Sequence, residues 1–149
     1  MSVKPIPDGY HSVTPYLTVP GIPKLIDFVK QAFGAQQIVR MDGPDGNIVH
    51  AEVKIGDSII MMGEANSNFS PMPGKIHLYI EGVDKVYKRA LDAGATSLRE
   101  PTDQFYGDRM AGVLDKSGNE WWISTHTEDL TPEEMKKRSE EFIKQREKK

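Results

Sequence analysis

The chain has no cysteine among its 149 residues. That excludes disulfides, thiolate metal ligands and a cysteine nucleophile, and it fits a reducing compartment. It also lacks any apolar run near the ~18 residues that a membrane-spanning helix needs. The opening stretch MSVKPIPDGYHSV has no apolar core of the kind found in secretory leaders. The expectation is a cytoplasmic protein that does not engage a membrane. A charge excess is missing too: 19 Lys and Arg stand against 22 Asp and Glu, a net charge of −3. Such a balance gives no general attraction to nucleic acid. The one basic-leaning segment, KKRSEEFIKQREKK, mixes both signs and reads as a solvated helix end. No Gly-rich phosphate loop and no G-x-S-x-G elbow is present. What remains, 38% hydrophobic and 28% charged, suits one folded domain or two small modules sharing a core.

The strongest positive signal is an internal repeat. LTVPGIPKLIDFVKQAFGA, from Leu17, returns as LYIEGVDKVYKRALDAGA, from Leu78, 61 positions on. In the first copy HSVTPYLTV alternates as a strand does, and Pro20-Gly21 ends it. Ile22, Leu25, Ile26, Val29, Ala32 and Phe33 then follow helical spacing up to Gly34. QQIVRMD reads as a second strand, and NIVHAEVKI with SIIMMGE as a hairpin around Gly56-Asp57. The second copy repeats the order with KIHLYIE, a helix through Val83, Val86, Tyr87, Ala90 and Leu91, the strand TSLRE, and a hairpin of RMAGVLD and EWWISTH around KSGN. Aligning Gly56 with Gly118 sets the two hairpins 62 apart.

The predicted fold class is α+β, with tandem β-α-β-β-β modules forming a cupped, half-open barrel-like sheet and an extra C-terminal helix. The boundaries are residues 10–63 for the first module, 64–74 for a linker, 75–127 for the second module and 128–149 for the terminal helix. Thr131, Pro132 and Glu134 make a capping box with proline at the first helical position. A four-stranded sheet with one helix covers only one of its faces. Two such units can curve their open faces around a hollow that one unit cannot enclose.

TPYLTV, FGAQ, HAEVKIGDSIIMM and DQFYGDRMAGVLDKSGNEWWISTH, set in this repeat, resemble the vicinal oxygen chelate superfamily of glyoxalases, bleomycin-resistance proteins and extradiol dioxygenases, and within it the PhnB-like branch. The resemblance covers roughly residues 11–130. It implies four metal-ligand positions inside the cup in the family's metalloenzymes. On this chain they fall at Thr14, Lys75, Ile60 and Trp122. Divalent metals want imidazole or carboxylate donors. The resemblance therefore points to the metal-free, ligand-sequestering members, and no cofactor is expected.

Strand alternation suggests which side chains face the cup. The expected ligand-binding set is Tyr16, Ile60, Met62, Lys75, His77, Tyr79, Tyr106, Arg109 and Trp122. It is largely apolar with a few polar groups, the usual make-up of a small-molecule site; the same side chains could instead simply fill the barrel as core. Candidate catalytic residues are His50 and Glu52, two apart on one strand and so on one face. With His77 or His126 they could also bind a metal in a non-standard way. Arg109 is expected to pair with Glu52 or to fork onto an anion, and Lys75 to snorkel to solvent. Three functions follow. The first is a metal-independent binding protein that sequesters an aromatic or apolar ligand in the cup, as bleomycin-resistance proteins do. The second is a lyase- or dioxygenase-type enzyme. The third is a structural or regulatory dimer with a filled cup. The partners expected are a small-molecule ligand and a second copy of the chain.

Overall fold

A computed structural model describes residues 2–148. The elements run β1 (Tyr16–Val19), α1 (Ile22–Phe33), β2 (Gln36–Asp42), β3 (Ile48–Ile55), β4 (Ser58–Glu64), β5 (Lys75–Tyr79), α2 (Val83–Asp92), β6 (Thr96–Asp103), β7 (Asp108–Leu114), β8 (Glu120–His126) and α3 (Pro132–Glu147). This is the expected order: two β-α-β-β-β units and a terminal helix. The sheets are ordered β1-β4-β3-β2 and β5-β8-β7-β6. In each, the first strand lies parallel to the last and the remaining pairs are antiparallel.

The repeat extends to how the helices begin. Gly21 and Gly82 precede α1 and α2 in the left-handed region, with φ of 81° and 78°, and neither has a side chain to cap with. The last strand of each sheet supplies the acceptor. Glu64 takes the Gly21 and Ile22 amides at 2.8 and 3.1 Å, and Thr125 Oγ1 takes the Val83 amide at 3.2 Å. Glu64 and Thr125 are 61 apart, the repeat offset. The charged cap also sits favourably at the positive end of the α1 dipole.

The two helices touch each other, and Trp121 of β8 packs against Phe28 and Phe33 of α1 with ring centroids 6.4 and 5.0 Å away. The helix-bearing faces of both sheets thus share one core, from Leu17 and Val29 through Val86 and Ile123. Trp121 is fully buried, and its Nε1 donates to buried Asp115 at 2.8 Å. Truncating a core tryptophan of this kind costs about 3–5 kcal/mol. The sheets share no hydrogen-bonded edge, and side chains on the faces away from the helices are exposed, Tyr16 and Tyr79 among them, so these faces look outward. No helix among the described residues is long and apolar enough to cross a membrane.

Three local departures have physical causes. β1 starts only at Tyr16, because Pro15 has no N–H to give the ladder; its carbonyl still accepts from Met61 N at 2.9 Å. β6 runs on through Pro101, which an edge strand with a register shift between Arg99 and Thr102 accommodates. The linker doubles back along β1, with Met72 N donating to Thr18 O at 2.7 Å. α3 has no buried residue; Arg138 holds it to Glu128 at 2.7 and 2.9 Å, and Phe142 stacks on Phe105 at 4.6 Å.

Candidate functional site

Pairing fixes which side chains share the open face of each sheet. In the parallel pair, Leu17 lies beside Met62 and Tyr16 beside Met61. Leu17 is in the core, so Met62 and its alternate Ile60 face the helices as well, with 0% and 3% exposure. This corrects the expected placement of Ile60 and Met62 in the cup. The cause is the hairpin. Lys54 pairs Ile59 across four residues, whereas the equivalent pair Leu114 and Glu120 is separated by five. Gly56 and Gly118 are therefore not equivalent, and the partner of Trp122 in the first sheet is Met61.

The first open face carries a hydrogen-bonded array. Tyr16 OH meets His50 Nδ1 at 3.0 Å, and His50 Nε2 meets Glu52 Oε2 at 2.7 Å. Tyr10, arriving from the segment before β1, donates its hydroxyl to Glu52 Oε1. Glu52 is buried. Burial pushes its pKa up, but the hydrogen bonds from Tyr10 and His50 outweigh it and hold the carboxyl below its usual range. The Tyr10 phenol is raised, chiefly by its bond to Glu52. A cleft of about 630 Å³ opens beside this array, lined by Tyr16, His50, Gly63 and Phe69 among others.

The second open face is different. The Trp122 ring lies on Gly112: a Cβ added to that glycine would meet Trp122 Cζ3 at 2.5 Å. Glycine inside a strand often marks such a close approach. Trp122 Nε1 donates to Glu120 Oε1 at 2.9 Å. Lys75 Nζ and Arg99 Cζ stand 5.4 and 5.8 Å from its ring centroid. Further along, Asp108, 2% exposed, accepts from Tyr79 OH at 2.7 Å and bonds His126 Nδ1 at 2.8 Å. His126 Nε2 bonds Asp129 at 2.7 Å. The His126 pKa is raised, first by Asp108 and then by Asp129.

Lys75, His77, Tyr79 and Trp122 therefore share one face, as expected, and Tyr16, His50 and Glu52 share the other. Tyr106 sits at the edge of the second face, its hydroxyl 3.6 Å from Met110 sulfur. Arg109 does not pair with Glu52. It shares the helix side of β7 with Ala111 and Val113, and it clamps Asp84 in the first turn of α2 at 2.9 and 3.4 Å and Asp103 at 3.2 Å. Alternation from Ala111 and Val113 could have placed it there. Tyr10 and Arg99 were not foreseen: the first lies outside any strand, and a register shift between Ser97 and Arg99 resets the alternation before the second.

Residues 9–123 match the Glyoxalase/Bleomycin resistance protein/Dioxygenase superfamily. The chain belongs to that superfamily. It is 31% identical over 135 residues to the uncharacterized protein Mb0911c of Mycobacterium bovis, with 83% of this chain and 89% of that protein covered. Among solved structures it is similar to TioX from Micromonospora sp. ML1, at TM-score 0.65 and 20% identity over 81% of this chain and all of that one. It is also similar to the PhnB protein of Bacillus cereus, at TM-score 0.60 and 17% identity over 77% of this chain and 99% of that one. These structural likenesses bear on the fold.

The superfamily's metalloenzymes imply a divalent ion at four cup positions. With the corrected register those are Thr14, Met61, Lys75 and Trp122. A hydroxyl, a thioether, an ammonium and an indole do not fit such an ion. Among the described residues, no group of three or more His, Asp or Glu is arranged to hold one elsewhere.

Proposed function

We propose that this chain is a metal-independent small-molecule binding protein, which sequesters an aromatic or apolar ligand on the open face of its second sheet. The observation that carries this reading is the Trp122 ring, seated on Gly112 at a position where the metalloenzymes place a ligand. An aromatic ring there offers stacking area in place of a Lewis acid. His77, its partner across the strands, and Tyr79 put further rings on the same face. We place the chain in the PhnB-like branch on its likeness to the Bacillus cereus protein, with a role in resistance or metabolite storage in the cytoplasm. Because the two open faces look outward, we propose that a second copy closes the cup, its first sheet over the second sheet of its partner.

A thermal-shift screen of aromatic metabolites tests this. A ligand at a hundred times its Kd stabilises by about 2.7 kcal/mol, so hits should raise Tm in the parent protein and not in Trp122→Ala. Hits that persist in Trp122→Ala would return Trp122 to plain packing. One observation favours a second reading. The Tyr16–His50–Glu52–Tyr10 array could move a proton, which suits an enzyme using acid-base chemistry. Turnover lost in His50→Ala with ligand affinity kept within a few-fold would select it.

A further inference from the structure

The face around Trp122 carries two cations that are in no ion pair among the described residues, and one acid, Glu120, opposite Lys75 in the strand pairing. Lys75 and Arg99 flank the indole. Arg99 also lines a cleft of about 500 Å³ with Phe142, Gln145 and Arg146 of α3. Among the described residues, none of Lys75, Arg99 and Arg146 lies within 4.0 Å of a carboxylate. The nearby acid, Glu120, is engaged with Trp122 Nε1 at 2.9 Å. By contrast Arg109 of the second module and Arg138 of α3 are both paired. A cation–π contact at an exposed site is worth only about 0.5–1 kcal/mol. A charge-assisted bond to a carboxylate is stronger. An arriving anion can therefore draw Lys75 and Arg99 off the ring, uncovering its face for stacking.

From this geometry we infer that the Trp122 face selects planar aromatic anions, such as aromatic carboxylates or sulfonates, over neutral rings of the same shape. The inference rests on the reading of this face as a binding site. It adds the ligand's charge, with Lys75 and Arg99 as the specificity-determining residues and Trp122 as the stacking platform.

Two dyes of one skeleton test it: anilinonaphthalene sulfonate, an anion, and phenylnaphthylamine, which is neutral. Fluorescence titration of the full chain should show the anion binding roughly tenfold more tightly. In Lys75→Met/Arg99→Met the ratio of the two affinities should fall to about one. Raising salt should weaken only the anion, a readout on the parent protein that does not depend on any variant folding. Equal affinity for both dyes, or a preference that survives the double substitution, would overturn the inference and leave the binding site standing. Binding of both dyes that is indifferent to Trp122→Ala would remove the site itself.

Discussion

On the first sheet the polar side chains of the open face are already satisfied by one another. Tyr10, Glu52, His50 and Tyr16 form a continuous run of hydrogen bonds, and its acid is buried. On the second sheet Asp108 is satisfied in a similar way by Tyr79 and His126, but the Trp122 region keeps two cations and an indole with little to hold them. Both surfaces descend from one repeated unit, with the same strand order and the same helix capping from Glu64 and Thr125. The scaffold positions were copied while the face positions diverged. A self-satisfied array rigidifies its sheet, whereas unpaired charge beside an aromatic ring is available to a ligand.

The sharpest way to break this contrast is at Gly112. Gly112→Leu should drive Trp122 off its seat, cost about 1–3 kcal/mol of stability through overpacking, and weaken the anionic dye roughly tenfold or more; unchanged binding would show that the seat is irrelevant. Next comes Glu52→Ala, which strands Tyr10 and His50. Urea unfolding should show a loss of about 1–3 kcal/mol with dye affinity kept, and a fall in dye affinity would mean that the two faces are coupled. Arg109→Ala should change stability little, as expected for solvent-screened ion pairs with exposed Asp84 and Asp103, and leave the dye untouched. The smallest effects are in pH. The lowered Glu52 pKa gives stability that is present above the usual carboxylate range and lost as pH falls through its folded value. The raised His126 pKa works the other way: its contribution is complete below about 6.5 and is lost as pH rises through the folded value. Tm profiles should therefore flatten in different windows: that of Glu52→Gln at and below the usual carboxylate range, that of His126→Asn above about 6.5.

Most of the architecture was legible in the sequence. QQIVRMD and SIIMMGE became β2 and β4 residue for residue, since alternation and turn signals act locally. The site was less legible where one inserted residue decided a facing. The extra residue in the loop between β7 and β8 makes Gly56 and Gly118 non-equivalent, so aligning them shifts the repeat by one and assigns Ile60 and Met62 to the wrong face. That Trp122, Lys75, His77 and Tyr79 share one face could be read from alternation, because β5 and β8 pair without a shift. Arg99 was hidden by a bulge, and Tyr10 by lying in a segment with no period at all.

The central claim is that an indole has replaced a metal as the working group of this fold. Titrate the aromatic anion into protein dialysed against a chelator, then repeat after adding zinc or manganese. The same dissociation constant in both, lost in Trp122→Ala, is the predicted result. Binding that arises only once the metal is returned would contradict it.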